Sequence, residues 1–262
     1  MPTSDPMYNA AVWVAFALVV GTVIAAPFVP SPYGRFSNRR LGPAVNARLG
    51  WFLMELPATL SFFTFYALGP GRAEPVALFV AGVWSVHYLN RGVVMPLLMR
   101  VPAGQGGTFG LMVVSAGWLV TSLHGYLNAT WVTTFHPNLS ASWFSDPRFI
   151  VGSVLYAGGL IANIHADYVL RNLRSREEVA RGERPYRIPY GGLFRYVTNA
   201  SYLAELVAWA GFALVTWSPG GVFIFCISAA NLVPRAVSIH RWYREKFPAY
   251  PTERRALVPF LF

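Results

Sequence analysis

The chain has 262 residues, of which 55% are hydrophobic and 12% charged, and its formal net charge is +10. Soluble domains carry about 25% charged residues, so this composition excludes an ordinary soluble protein. The 21 basic residues lie mostly in the connections between apolar blocks, which argues against nucleic-acid binding. The one cysteine, Cys226, excludes an intramolecular disulfide and a multi-thiolate metal site.

Apolar blocks of about 20 residues, the length of a membrane-spanning helix, recur along the chain. They predict an all-α, polytopic membrane protein with seven transmembrane helices in a single bundle. The predicted spans, in chain order, are Tyr8–Phe28, Trp51–Leu68, Pro75–Leu98, Phe109–Leu127, Phe149–Leu170, Tyr202–Trp217 and Gly221–Val237.

The distribution of arginines predicts the orientation of these spans. The tail before the first span has no Lys or Arg, whereas four arginines follow that span and seven lie between the fifth and sixth spans. The short connection at 218–220 has none, and the C-terminal segment is basic again. Because basic residues favour the cytoplasmic side, the N-terminus is predicted outside and the C-terminus in the cytoplasm.

Three acidic residues fall inside the apolar spans: Glu55, Asp167 and Glu205. An ionised carboxylate in hydrocarbon costs roughly 3 kcal/mol or more, so such groups normally face a bundle interior or a cavity. They are candidates for a functional site.

Two of the spans place polar groups where they could act on a ligand. Pro57 follows Glu55 by two residues and is expected to free backbone groups near the acid. In the third span, His87 and Arg91 share a helix face, and Tyr88 faces the adjoining sector. A polar clamp between helices is the alternative role for Glu55, and an interfacial anchor is the alternative for Tyr88.

The fifth span ends in four polar residues at i, i+4, i+8 and i+11, on one face of the helix: Asn163, Asp167, Arg171 and Arg174. An Asp167–Arg171 ion pair is the simplest interpretation. However, further polar side chains come from the loop that follows, the sixth span and the C-terminal segment: Tyr186, Arg187, Asn199, Ser201, Glu205, Arg235, His240 and Tyr243. Arginine forks bind phosphate, so the set predicts a basic pocket for a ligand with several phosphates.

Several stretches together carry a family resemblance. They are WFLMELP at 51–57, HYLNR at 87–91, NIHADYVLRNLR at 163–174, YRIPYGGLFRY at 186–196 and RALVPFLF at 255–262. In these stretches the chain resembles the steroid 5-alpha-reductases, integral membrane enzymes that use NADPH. Four positions depart from the residues expected in animal members: Met54, Asn90, Ser201 and Ile239.

The resemblance implies reduction of the delta-4 double bond of a 3-oxo steroid, with a hydride delivered from NADPH to C5. Glu55 and Tyr88 match the family's pair that holds the 3-keto oxygen, and we place Trp51, His87 and Arg91 around the substrate. The polar residues of the predicted basic pocket match or adjoin positions around the cofactor. Residues 1–262 would form one reductase domain, with 1–110 mainly on the substrate side and 145–262 mainly on the cofactor side.

Other functions stay open at the level of sequence. Another membrane lipid or sterol double-bond reductase is a near alternative. An isoprenylcysteine-type methyltransferase would bind S-adenosylmethionine and have no use for Glu55, and a transporter or proton relay would spread polar groups across both leaflets. The expected partners are the lipid bilayer and a steroid or similar hydrophobic enone that enters from it, with no nucleic acid and no metal. The expected location is a bacterial inner membrane or the endoplasmic reticulum.

Overall fold

The computed structural model describes residues 3–26, 28, 43–102, 109–183 and 185–262, and most of them are helical. The α-helices, in chain order, are α1 Pro6–Ala25, α2 Ala47–Leu68, α3 Pro75–Tyr88, α4 Met95–Leu98, α5 Leu111–Thr130, α6 Pro147–Asn172, α7 Arg176–Ala180, α8 Ala200–Thr216 and α9 Pro219–Lys246. Two short strands, β1 Ala44–Val45 and β2 Phe109–Gly110, pair antiparallel, with Ala44 opposite Gly110.

Within the described residues, four helices are long and apolar enough to cross a membrane: α1, α2, α6 and α9. Helix α8 is apolar but shorter, at 17 residues. The prediction of a mostly helical chain with membrane-spanning segments is therefore confirmed. The count of seven spans and their orientation remain predictions.

The third predicted span is not one continuous α-helix. A π-helical segment, Leu89–Val94, separates α3 from α4, and the Met95 N–H donates to the Asn90 carbonyl five residues back. Pro96 has no N–H to donate to the carbonyl of Gly92, which disfavours regular α-helix at this point. π-helical turns are frequent at functional sites, and this one carries Arg91.

The last helix differs from the prediction in its length. Helix α9 continues to Lys246, whereas the apolar pattern predicted a span that ends at Val237. Hydropathy falls where the basic residues begin, but nothing there stops the helix, and a proline next appears at Pro248. The helix therefore carries Arg235, His240 and Tyr243 in helical register.

Two helix pairs form the frame of the bundle: α2 packs along α5, and α6 packs along α8. The α6–α8 contact is close because Gly152 and Gly159 on α6 face Gly211 and Ala208 on α8. A Cβ atom at Gly159 would lie 2.5 Å from the Ala208 backbone nitrogen. Such small residues let the backbones of membrane helices touch.

The proline inside α2 has the local effect that the sequence predicted. Pro57 cannot donate to the Leu53 carbonyl, and that carbonyl instead accepts from the Trp118 indole N–H of α5 at 2.7 Å. The next carbonyl, that of Met54, accepts from the Thr121 hydroxyl at 3.3 Å. These bonds tie α5 to the turn of α2 that carries Glu55.

Candidate active site

A cavity of about 370 Å³, which we call the large cavity, lies between α1, α2, α5, α8, α9 and the α3–π segment. Its walls are mainly apolar, and this volume falls in the range of small-molecule sites. All the residues predicted on the substrate side line it: Trp51, Glu55, His87, Tyr88 and Arg91.

The two predicted catalytic residues meet at this cavity although they come from different helices. Glu55 is 8% exposed and Tyr88 is 5% exposed, and both lie on the cavity wall. A carboxyl and a phenol on an apolar wall can hold one ligand oxygen between them.

The three acids of the apolar spans converge on one guanidinium, and we call this group the acid–arginine cluster. Arg91 Nε lies 3.7 Å from a Glu55 oxygen, Nη1 lies 3.9 Å from Asp167, and Nη2 lies 3.3 Å from Glu205. The guanidinium also stacks 4.5 Å above the Trp51 ring centroid. Arg91 is thus the shared partner of three carboxylates, a role that the sequence did not predict.

The four polar residues that share one face of α6 have different partners along the helix. Asn163 is buried and donates to the Ser201 carbonyl of α8 at 2.9 Å. Asp167 lies within 4.0 Å of Arg91, and among the described residues it has no such close contact with Arg171, the partner that the sequence suggested. Arg171 instead packs on the Tyr168 ring, 5.5 Å from its centroid.

One end of the bundle holds the arginine-rich loop and the C-terminal segment. We call it the basic end and define it as residues 171–183, 185–199 and 240–262. Arg187 forms an ion pair with Glu178, whose carboxylate also accepts from the Ser175 N–H. The Arg187 hydrogen bond, with help from the Ser175 N–H, lowers the pKa of Glu178 to about 2. Arg187 also donates to the Leu173 carbonyl, which joins the loop to the end of α6.

Aromatic rings and short polar contacts pack the rest of the basic end. Tyr186 lies against Trp242 with ring centroids 5.0 Å apart, and Tyr243 is buried and donates to the Arg187 carbonyl at 3.4 Å. His240 shares a hydrogen bond with Thr198. The backbone of Arg174 lies here too, where its carbonyl accepts from Arg100.

Two predicted cofactor residues are engaged in bonds within the protein. The Asn199 amide donates to the carbonyls of Ala236 and Ala256, at 3.0 and 2.8 Å, and so ties the C-terminal tail to α9. Arg235 Nε donates to the Tyr202 hydroxyl at 2.7 Å. Asn199 belongs to the basic end, whereas Arg235 lies on α9 outside it.

Sequence reasoning missed several residues of the site. The apolar walls that α5 and α9 add to the large cavity were not predicted, because their residues look like ordinary core; they include Met112, Val113, Ala116, Val120, Ile224, Ile227 and Leu232. Arg254 was also missed. It is 3% exposed, donates to the Pro189 carbonyl, and has a sealed Nε with no partner among the described residues.

The described residues contain no group of three or more His, Cys, Asp or Glu side chains placed to hold a metal ion.

Comparison with known proteins places the chain in a family. The sequence model of the 3-oxo-5-alpha-steroid 4-dehydrogenases matches residues 108–262. The chain is 34% identical to steroid 5-alpha-reductase DET2 of Solanum lycopersicum, over 99% of each chain. It is 37% identical to 3-oxo-5-alpha-steroid 4-dehydrogenase 1 of Mus musculus, over 97% of each. Against the Homo sapiens protein of that name it is 36% identical, over 88% of this chain and 86% of the other. The chain belongs to the 3-oxo-5-alpha-steroid 4-dehydrogenase family of oxidoreductases.

Proposed function

We propose that this protein reduces the delta-4 double bond of 3-oxo-delta-4 steroids to 5-alpha-3-oxosteroids, with NADPH as the reductant. One observation carries the proposal: a carboxyl and a phenol, Glu55 and Tyr88, lie together on the wall of a mainly apolar cavity of about 370 Å³. A rigid steroid with a 3-keto group needs apolar walls for its rings and polar donors where that oxygen is held.

Glu55 and Tyr88 act on the 3-keto oxygen. As C5 of the steroid gains a hydride, negative charge moves through the enone to this oxygen. Donors aimed at a developing oxyanion in a water-poor site stabilise the transition state, and removal of one typically costs about 100-fold to 1,000-fold in rate. The apolar walls hold the steroid rings and exclude water from the reaction.

The acid–arginine cluster favours a protonated Glu55, which can donate a hydrogen bond to the ketone oxygen. Three carboxylates share the single Arg91 guanidinium, at 3.3 to 3.9 Å. If all three were ionised, two negative charges would remain uncompensated within the group. A proton on Glu55 reduces the repulsion between the carboxylates and supplies the O–H that the ketone accepts.

The arginines of α6, α9 and the basic end fit the phosphates of NADPH, which supplies the hydride when bound. Arg171 packs on the Tyr168 ring near the end of α6, where its charge would attract a phosphate. Arg174, Arg187 and Arg235 would hold phosphate groups, and Asn163, Asp167 and Glu205 would hold the amide and ribose groups nearer the substrate. Tyr186, Asn199, Ser201, His240 and Tyr243 would shape the same site.

The membrane arrangement supports entry of the substrate from the bilayer. We infer seven spans in one bundle, with the N-terminus outside and the C-terminus in the cytoplasm, because the arginines alternate along the chain as the positive-inside rule requires. The basic end then faces the cytoplasm, where NADPH is found. A bacterial inner membrane or the endoplasmic reticulum would suit this orientation.

The test is NADPH oxidation by the purified protein with progesterone or testosterone. Glu55→Gln and Tyr88→Phe are expected to lower kcat about 100-fold or more, because each removes or weakens a donor to the ketone oxygen. Both variants should still bind NADPH, measured by quenching of tryptophan fluorescence. Glu253→Gln and Tyr126→Phe, which lie outside the large cavity, serve as matched controls. Wild-type kcat in Glu55→Gln and Tyr88→Phe would refute the mechanism.

A further inference from the structure

A second, much smaller cavity lies between the α3–π segment, α6 and α8, and we call it the small cavity. Its volume is about 10 Å³, close to the minimum that holds one water molecule. Five polar and two apolar residues line it, and the surface that they present to the cavity is mainly apolar: His87, Asn90, Arg91, Asn163, Glu205, Leu160 and Ala208.

The polar side chains of this wall offer hydrogen bonds that the protein itself leaves unmade. His87 is 8% exposed, and its Nδ1 is sealed from solvent with no hydrogen-bond partner among the described residues. Asn163 Nδ2 donates to the Ser201 carbonyl, and no donor to its Oδ1 is found in the described part of the chain. A buried water needs two to four polar partners, and in the small cavity these would come from His87, Asn163 and Glu205.

The small cavity adjoins the large one through shared residues. His87, Arg91 and Glu205 line both. The His87 imidazole therefore stands between the place proposed for the steroid and the small cavity. An imidazole can release a proton from one ring nitrogen and accept one at the other, which makes it a proton shuttle.

We propose that the small cavity binds one water molecule, and that this water and His87 deliver the proton that completes reduction of the substrate. The proposal rests on the function proposed above and assigns the proton donor, which that function left open. In that role His87 is a catalytic residue, and the water is its proton source.

The step balances as a proton transfer to an enolate. Hydride addition forms the C5–H bond and moves the C4–C5 π electrons into an enolate whose oxygen Glu55 and Tyr88 hold. The enolate electrons then form the C4–H bond with a proton from one His87 nitrogen, and the C3 carbonyl returns. The other nitrogen takes a proton from the water, which regains one from solvent by way of Glu205. His87 is neutral before and after but has changed tautomer, so its proton must exchange with solvent water to return to the first nitrogen before the next turnover. Each turnover consumes one solvent proton.

A purely structural role for His87 predicts different behaviour. The ring packs against Trp209 with centroids 4.4 Å apart, and a residue that only packs there would affect folding and the shape of the cavity. Loss of such a residue changes KM or stability but leaves the isotope dependence of the reaction unaltered. Loss of a proton donor makes protonation slow and therefore sensitive to deuterium.

The first experiment measures progesterone reduction with NADPH in H₂O and D₂O by purified protein. His87→Gln is expected to lower kcat about 100-fold, within the range for loss of a general acid, with KM for progesterone within about threefold of wild type. Its solvent isotope effect on kcat should exceed that of wild type.

His136→Gln is the matched control, because His136 is also buried with an unpartnered Nε2 but lines neither cavity. Wild-type kcat in folded His87→Gln, or a loss through KM with an unaltered isotope effect, would overturn the assignment. If wild type does not oxidise NADPH with progesterone, the proposed function has failed instead. A high-resolution density map of wild type then tests the water site alone, which is refuted if the small cavity is empty.

Discussion

The close contact between α6 and α8 makes a sharp prediction at two adjacent glycines. In Gly159→Ala, the new Cβ would lie 2.5 Å from the Ala208 nitrogen, whereas ordinary contact begins at 3.4 Å. The helices must separate by about 0.9 Å at this point, the difference between those two distances. Overpacking of this kind typically costs about 1–3 kcal/mol.

Gly158 provides the matched control. A Cβ at Gly158 meets nothing within 4 Å, so Gly158→Ala adds the same methyl group to the same helix without a clash. Both substitutions gain up to about 1 kcal/mol of helix propensity, so the difference between them isolates the contact. We expect Gly159→Ala to be less stable than Gly158→Ala by about 1–3 kcal/mol, measured by unfolding of the purified protein in detergent.

The same separation should reach the active site. Helix α6 carries Asn163 and Asp167, and α8 carries Glu205, so a shift of α6 against α8 changes how both acids meet Arg91. Gly159→Ala should therefore also lower kcat/KM, while Gly158→Ala keeps it. Equal stability and equal activity in the two variants would show that the α6–α8 contact is not as close as described.

Two further predictions concern charge. Arg91→Gln leaves three carboxylates without their shared cation and should lower the free energy of unfolding by about 3–5 kcal/mol. Arg91→Lys keeps the positive charge and should lower it less. Similar losses in the two variants would contradict the shared ion pairing. Glu178 has a folded pKa of about 2 against an ordinary 4.5, so its stabilising effect is complete above pH 4.5 and is lost as the pH falls towards 2. Melting temperature measured across that window should therefore fall less steeply in Glu178→Gln than in wild type, and parallel curves would count against the Arg187–Glu178 pair.

Features that depend on one helix could be predicted from the sequence. The α6 stripe follows from helical periodicity, and the free Leu53 carbonyl follows from the chemistry of Pro57. The intramembrane acids were recognisable because a carboxylate in hydrocarbon is costly. His87 and Arg91 were expected on one face, and they line the same two cavities.

Features that depend on contacts between distant segments could not be predicted. The convergence of Glu55, Asp167 and Glu205 on Arg91 needs α2, α6 and α8 in their final places. The Asn199 clamp needs the tail at Ala256 to fold back onto α9. Apolar cavity walls carry no signal of their own, since a residue facing a ligand and a residue facing lipid are chosen by the same hydrophobic effect.

The acid–arginine cluster orders the three interior acids along a path from one cavity to the basic end. Glu55 lines the large cavity but not the small one, whereas Glu205 lines both. Asp167 lines neither, and its side chain is the most exposed of the three, at 28% against 10% for Glu55 and 18% for Glu205. Because a single guanidinium holds all three, movement of any one helix alters the environment of the other two acids. Three acids from three helices therefore share one electrostatic environment, which is what the roles proposed for them require.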